Sequence, residues 1–307
     1  MDRFEAMSLL VAVSDAGSFS AASRALKVPL ATLSRKIAEL EALIGARLLT
    51  RTTRRLSLTD AGTAYVAAAR RILEQVEEAE REVAGEFTTP KGELVVTAPL
   101  MFGRLHVLPV VAEFLAAFPQ IDVRLLLADH NLHLAEDHVD MAVRIGALPN
   151  STLVATGIGT MRLVTCASPA LLAGHGVPDR PDALPALPTI AYEMPSAVPA
   201  WRYRVPGSSE PLDVPVRSRL LVSTTEAAVD AATRGIGVVR LLHYQVAEAI
   251  QRGALTLILE DFEPEPAPVH LVHAARGQMP LKMRRFLDLA APRLRGTLAK
   301  LSQGRAS

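Results

Sequence analysis

Between Gly17 and Gly45 the chain has length for two short helices and almost nothing between them, a spacing that constrains the fold more than any other feature. Ser18 stands where a helix N-cap belongs, and Ala21, Ala22, Ala25 and Leu26 make a short helix whose small side chains allow close packing against a neighbour. Lys27-Val28 leaves room only for a tight turn. Pro29 suits the first turn of the next helix, where its missing N–H has no partner to lose. Leu33, Ile37, Leu40 and Ile44 then supply an apolar face, and Gly45 is a stop signal. Upstream, Phe4, Met7, Leu10 and Val11 recur at helical spacing over residues 3–15. Two helices joined this way, the second running into basic residues, form a helix-turn-helix.

The residues after Gly45 extend that motif. Leu48-Leu49-Thr50-Arg51 and Arg55-Leu56-Ser57-Leu58 can pair across Thr52-Thr53-Arg54 as a small basic hairpin, a wing. Thr59 can cap a long helix in which Tyr65, Ala69, Ile72, Val76, Ala79 and Val83 recur at alternating steps of four and three, the period of a left-handed coiled coil. That stripe predicts a seam between two subunits, the alternative being a helix packed on its own subunit. Charge changes sign along the same stretch although the whole chain carries only +1. From Arg24 to Arg55 eight basic residues face two acidic ones, and from Ile72 to Phe87 six glutamates face Arg81 alone. The first block can meet a polyanion that the second would repel.

From Gly92 strands alternate with helices. Leu94 to Ala98, Ile121 to Leu127 and Met141 to Ile145 read as strands and Gly103 to Phe118 as a helix, which predicts βαβ units on a mostly parallel sheet. A second set comes next, with strands over 162–167, 189–192, 236–239 and 255–259 and helices over 224–234 and 243–251. A strand over 269–274 and a helix over 281–301 close it. Residues 178–188 and 263–268 read as loops. A chain of 307 residues that is 50% hydrophobic and 21% charged can fill two cores, which excludes disordered and fibrous classes. Cys166 is the single cysteine, so no internal disulfide forms, and the N-terminus lacks a secretory h-region. A cytoplasmic location is expected. The apolar stretches at 107–118 and 220–239 are interrupted by charge, so no membrane span is expected.

Motifs for catalysis are missing where they would have to stand. Gly157-Ile158-Gly159 and Gly235-Ile236-Gly237 lack the rest of a dinucleotide fingerprint, and there is no phosphate loop or nucleophile elbow. No enzyme activity and no cofactor are expected. His130, His133 and His138 stand near Asp129, Glu136, Asp137 and Asp140, but on a helix only His133 and Asp137 would share a face, so a solvated polar segment is the reading and no metal is expected.

The ordered run Gly17-Ser18-Phe19-Ser20-Ala21-Ala22, Ala25-Leu26-Lys27-Val28, Leu33 to Glu41, Leu43 to Arg51 and Leu56 to Gly62 resembles the N-terminal domain of LysR-type transcriptional regulators. Asp140 to Gly146 and Ala231 to Val238 resemble segments of that family's effector domain. The resemblance implies an α+β multidomain chain. Its parts would be a winged helix-turn-helix over 1–58, a dimerising linker helix over 59–87 and a two-lobed, periplasmic-binding-protein-like effector domain over 88–307. Lobe I would take about 92–161 and 268–307, and lobe II about 162–267. It implies a sequence-specific regulator acting on promoter DNA as a homodimer or homotetramer, with RNA polymerase as a further partner. A small effector bound between the lobes would bias the bend imposed on DNA.

Carried onto this chain, the DNA contacts fall on Ser20, Leu30, Ala31, Thr32, Ser34, Arg35, Lys36, Arg51, Arg54 and Arg55. The family commonly has Ser-Gln-Pro where this chain has Pro29-Leu30-Ala31, so Leu30 and Thr32 are expected at thymine methyls and Arg35 at guanine or phosphate. The effector contacts fall on Ala98, Pro99, Leu100, Arg144, Ile145, Ser223, Thr224 and Arg240, the last facing either the cleft or the surface. Helix starts at Leu100 and Thr224, with Arg144 near, would suit an organic acid. A different reading remains, a ligand-binding protein or α/β enzyme whose winged helix serves protein interaction. Steep salt dependence of DNA binding separates the two.

Overall fold

The computed structural model describes residues 2–51, 56–83, 89–130, 134, 137–148, 153–192, 200–208, 210–274 and 279–303. It divides into two compact units, Met1–Thr88 and Thr89–Ser307.

In the first unit α1 (Arg3–Ala16) begins where the Asp2 carboxylate accepts from the amides of Phe4 and Glu5. α2 (Phe19–Leu26) begins where Ser18 Oγ accepts from the amide of Ala21 at 3.1 Å. The tight turn is made by one residue: Lys27 takes a left-handed φ of 55° and its amide donates to the Ser23 carbonyl. α3 (Leu30–Ile44) comes after it, with Pro29 at the cap position rather than inside the first turn. β1 (Leu49–Arg51) and β2 (Leu56–Leu58) pair antiparallel with Leu49 opposite Leu58, and α4 (Asp60–Val83) comes next. Leu9, Leu10 and Val13 of α1, Ala22 of α2, Leu33, Ile37 and Leu40 of α3, with Leu48, Leu49 and Val66, make the core.

The second unit runs β3 (Gly92–Ala98), α5 (Leu100–Phe102), a π-helical turn (Gly103–Val107), α6 (Leu108–Ala117), β4 (Ile121–Leu127), β5 (Met141–Ile145) and β6 (Leu153–Met161). It continues through β7 (Leu163–Ala167), α7 (Pro169–His175), β8 (Thr189–Tyr192), β9 (Ala200–Tyr203), β10 (Leu212–Pro215), β11 (Ser218–Val222), α8 (Thr225–Thr233), β12 (Val238–Leu242), α9 (His243–Gln251) and β13 (Thr256–Ile258). β14 (Ala267–Ala274) and α10 (Leu281–Gln303) end it. Two five-stranded sheets result, ordered β4-β3-β5-β14-β6 and β11-β8-β12-β7-β13, one in each lobe.

These sheets are mixed, not mostly parallel. In each, three strands run parallel (β4-β3-β5 and β11-β8-β12), while the strands that enter or leave the lobe at a crossover pair antiparallel: β14 with β5 and β6, and β7 with β12 and β13. The lobe I core packs Leu94, Val96, Met141, Val143 and Leu271 of the sheet against Phe102, Phe114, Phe286 and Leu294 of the helices, with Phe114 and Phe286 edge to face at 5.2 Å. The helical run Leu100–Ala117 has the length and apolarity of a membrane span. Phe102, Val107, Val110, Val111 and Phe114 nonetheless face this core, so the apolarity is that of a packed helix.

Candidate nucleic-acid interface and ligand cleft

Because α3 buries Leu33, Ile37 and Leu40, the 100° step per residue points Ala31, Arg35, Ala38 and Ala42 directly away from the core. Ala31 and Arg35 are exposed, as is Leu30 at 49%. Leu30 and half-buried Ser34 lie on one flank of that face, and half-buried Thr32 and Lys36 on the other. The two basic residues differ in what holds them. Arg35 Nη1 meets Glu39 Oε1 at 2.8 Å in an exposed pair one helical turn long, which leaves its other donors outward. Lys36 reaches back to Glu5 of α1, so it braces the helix pair as well as carrying charge. Ser20 is exposed on α2, and Arg51 lies on β1. Arg54 and Arg55 lie outside the described residues, as do the side chains of Arg51, Ala79 and Val83.

Of the residues that aim the wing, the sequence reading singled out Thr59 as a helix cap and missed Glu41 and Gly62. Glu41 Oε1 accepts from the amides of Leu48 at 2.7 Å and Leu49 at 3.0 Å, so a carboxylate of α3 holds the start of the hairpin. Thr59 Oγ donates to the Arg47 carbonyl at 2.7 Å and accepts from the Gly62 amide, capping α4 against the same segment. At Gly62 a Cβ would lie 1.9 Å from the Leu48 carbonyl oxygen, so only glycine permits this approach. On α4, Ala69 is buried, Tyr65 and Val76 are half-buried and Ile72 is 37% exposed.

In the second unit the parallel strands deliver their C-terminal ends to one side, where ligands of open α/β sheets bind. β3 ends at Ala98, Pro99 caps α5, and Arg144 stands one residue beyond the level of Ala98 on β5, with Ile145 after it. Burial lowers the Arg144 guanidinium from its ordinary value. From lobe II, Ser223 is exposed and Thr224 Oγ accepts from the Ala227 amide at 3.3 Å, capping α8. The lobes meet here: Thr225 Oγ is 3.9 Å from Met101 Sδ, and the Tyr244 ring stands edge-on to Phe102 at 5.3 Å and to His106 at 5.8 Å. The predicted Leu100 and Thr224 turns are therefore brought together.

Two expectations change. The amide of Leu100 donates to Asp129 Oδ1 at 3.0 Å, so the start of α5 already holds a carboxylate of its own chain. Arg240 is half-buried rather than set on the open surface. It packs within lobe II, its guanidinium 4.5 Å from the centre of the Tyr203 ring and bonded to the Arg202 carbonyl. Asp129 was legible in principle, since it follows β4 as Pro99 follows β3. Tyr244 was not, because only the fold brings α9 to α5. Burial, and after it the charge of Asp129, raise the phenols of Tyr192 and Tyr244 above their ordinary value. Burial lowers His106, whose Nε2 has no partner among the described residues. No group of three metal-ligating side chains assembles among those residues, and His133 and Glu136 lie outside them.

Comparison with known proteins places these two sites in a common frame. Residues 4–63 match the bacterial regulatory helix-turn-helix protein, lysR family, and residues 88–295 match the LysR substrate binding domain. The chain is 33% identical to an HTH-type transcriptional regulator of Xanthomonas campestris pv. campestris, the match covering 93% of this chain and 84% of that one. It is 31% identical to an HTH-type transcriptional repressor of Pseudomonas aeruginosa, over 94% and 91% respectively. CrgA, a LysR-type transcriptional regulator from Neisseria meningitidis, superposes with a TM-score of 0.60 at 29% identity, covering 94% of this chain and 98% of that one.

Proposed function

The chain belongs to the LysR family of helix-turn-helix transcriptional regulators, and from that premise we propose which residues perform each step. Residues 1–58 read the operator, 59–87 pair two subunits, and 88–307 sense the effector. The observation that carries the reading is the outward face of α3, where Leu30, Ala31 and Arg35 are exposed opposite the buried stripe. A helix presenting one exposed guanidinium, held only by a surface pair with Glu39, among small and apolar side chains enters the major groove with guanine and thymine-methyl contacts open to it. Thr32 joins Leu30 at thymine methyls, and Ser20, Ser34, Lys36, Arg51, Arg54 and Arg55 contribute backbone contacts. The α4 stripe through Tyr65, Ala69, Ile72, Val76, Ala79 and Val83 supports a homodimer, or a homotetramer built from two. The protein acts on promoter DNA in the cytoplasm, with RNA polymerase as its downstream partner and without catalysis of its own.

The effector lies between Ala98 to Leu100, Arg144 and Ile145 on one lobe and Ser223 and Thr224 on the other. If it is an organic acid, its carboxylate belongs at the start of α8 beside Arg144, since Asp129 holds the start of α5. The test is binding of the purified protein to its own upstream DNA against a random duplex, across a salt series. A salt-steep preference with a footprint at a pseudo-palindrome is the expected result. Equal affinity for both duplexes would favour a ligand-binding protein or enzyme with an accessory winged helix.

A further inference from the structure

The second unit passes its chain between the two sheets twice. The first crossover is a single residue, Arg162, between β6 and β7, and the second runs from Leu259 to Pro266 between β13 and β14. The side chain of the first grips the second. Arg162 Nε donates to Glu263 Oε2 at 2.8 Å and Nη2 to Glu263 Oε1 at 2.7 Å, a two-pronged pair whose side chains are 12% and 13% exposed. Nη2 also donates to Glu260 Oε2 at 2.9 Å, and that glutamate is 46% exposed. The Arg162 carbonyl accepts from the His243 amide at 2.9 Å, which ties the crossover to α9, the helix that carries Tyr244 to lobe I.

Two features set this joint apart from the rest of the lobes. Leu259, where the second crossover begins, is a non-glycine residue at a left-handed φ of 59°, a conformation that persists only where its surroundings impose it. Arg162 Nη1 is buried with no acceptor among the described residues, so the guanidinium has a donor not used in this arrangement. Rotation of one lobe against the other must change backbone angles at these few residues, because no other chain joins the sheets.

We propose that Arg162 is a positioning residue of the regulatory response: held between Glu263 and Glu260, its guanidinium fixes the angle between the lobes, and effector-driven rotation exchanges the exposed bond to Glu260 while the paired bonds to Glu263 act as the pivot. This rests on the reading that the effector acts between the lobes. It separates three roles: Glu263 is structural, Glu260 is the switchable contact, and Leu259 stores strain that favours leaving the observed angle.

The test uses the full chain with Asp122→Cys in lobe I and Gln251→Cys in lobe II, both at exposed positions, spin-labelled and diluted with unlabelled chain. Cys166 is buried and does not compete for label. Pulsed electron spin resonance then reads the inter-lobe distance. Glu260→Gln and Arg162→Lys are expected to broaden the wild-type distribution or add a second distance. Leu259→Gly should narrow it about the observed angle, and Glu113→Gln, which breaks an exposed pair within lobe I, should leave it unchanged. The effector-free footprint on the operator should change in the first two variants while affinity for random duplex does not. Folded Glu260→Gln and Arg162→Lys proteins with the wild-type distribution would overturn the proposal. So would an altered distribution with an unaltered footprint. A wild-type chain without operator preference would instead reject the functional reading beneath it.

Discussion

The two units hold their functional side chains in opposite ways. In the helix-turn-helix unit the recognition-helix charge and the helix caps are exposed or half-buried and answered within a turn: Arg35 by Glu39 four residues on, Ser18 by Ala21, Thr59 by Gly62. In the effector unit the partners lie far along the chain, Arg162 meeting Glu263 in a largely buried pair and Leu100 meeting Asp129 nearer the surface. Exposed charges contribute little to stability and are free to bind, whereas buried ones cost a great deal to disturb and can report a change of shape. A recognition surface and a sensor call for those different arrangements.

Substitutions can break that contrast. Phe286→Ala, in the lobe I core, should cost about 3–5 kcal/mol and lower the unfolding transition of the effector unit, read by calorimetry, while operator contacts in the first unit stay intact. Arg35→Ala should cost about 1–3 kcal/mol of operator discrimination yet change stability by under about 0.5 kcal/mol. Equal losses on operator and random duplex would remove its base-reading role. Thr59→Ala removes a helix cap and should cost about 1 kcal/mol of unfolding free energy in the first unit. The smallest expected effect is a slope with pH. Burial lowers His106, and burial followed by the nearby Arg162 lowers His243, both from 6.5. The folded effector unit therefore binds fewer protons than the unfolded chain below about pH 6.5. Its stability should be full above that pH and fall as the pH drops toward 5, and His106→Phe should flatten the fall.

The same contrast decides what the sequence could disclose. The helix-turn-helix was legible from Ser18, the Lys27-Val28 turn and the Leu33, Ile37, Leu40 stripe, because each signal and its partner lie within one turn or one short connection. Strands β4, β5 and β8 and helix α9 were read with their observed bounds for a like reason, as apolar runs ending at turn signals. β6, the β9–β10 hairpin and β11 were not read. β6 alternates Thr and Gly with a few apolar residues and gains its place by pairing with β14, more than a hundred positions away. At the candidate sites the exposed face of α3 followed from periodicity, and Asp129 could have been found from its place after β4, while Tyr244 and the grip of Arg162 on the second crossover depend on contacts that no local pattern encodes.

The absent side chain at Gly62 has a mechanical consequence. With α4 seated on the Leu48 carbonyl, and Thr59 and Glu41 fastening the same segment from either side, there is no slack between helix and hairpin. A torque on α4 is passed through these contacts to the base of the hairpin, so the long helix acts on it as a lever.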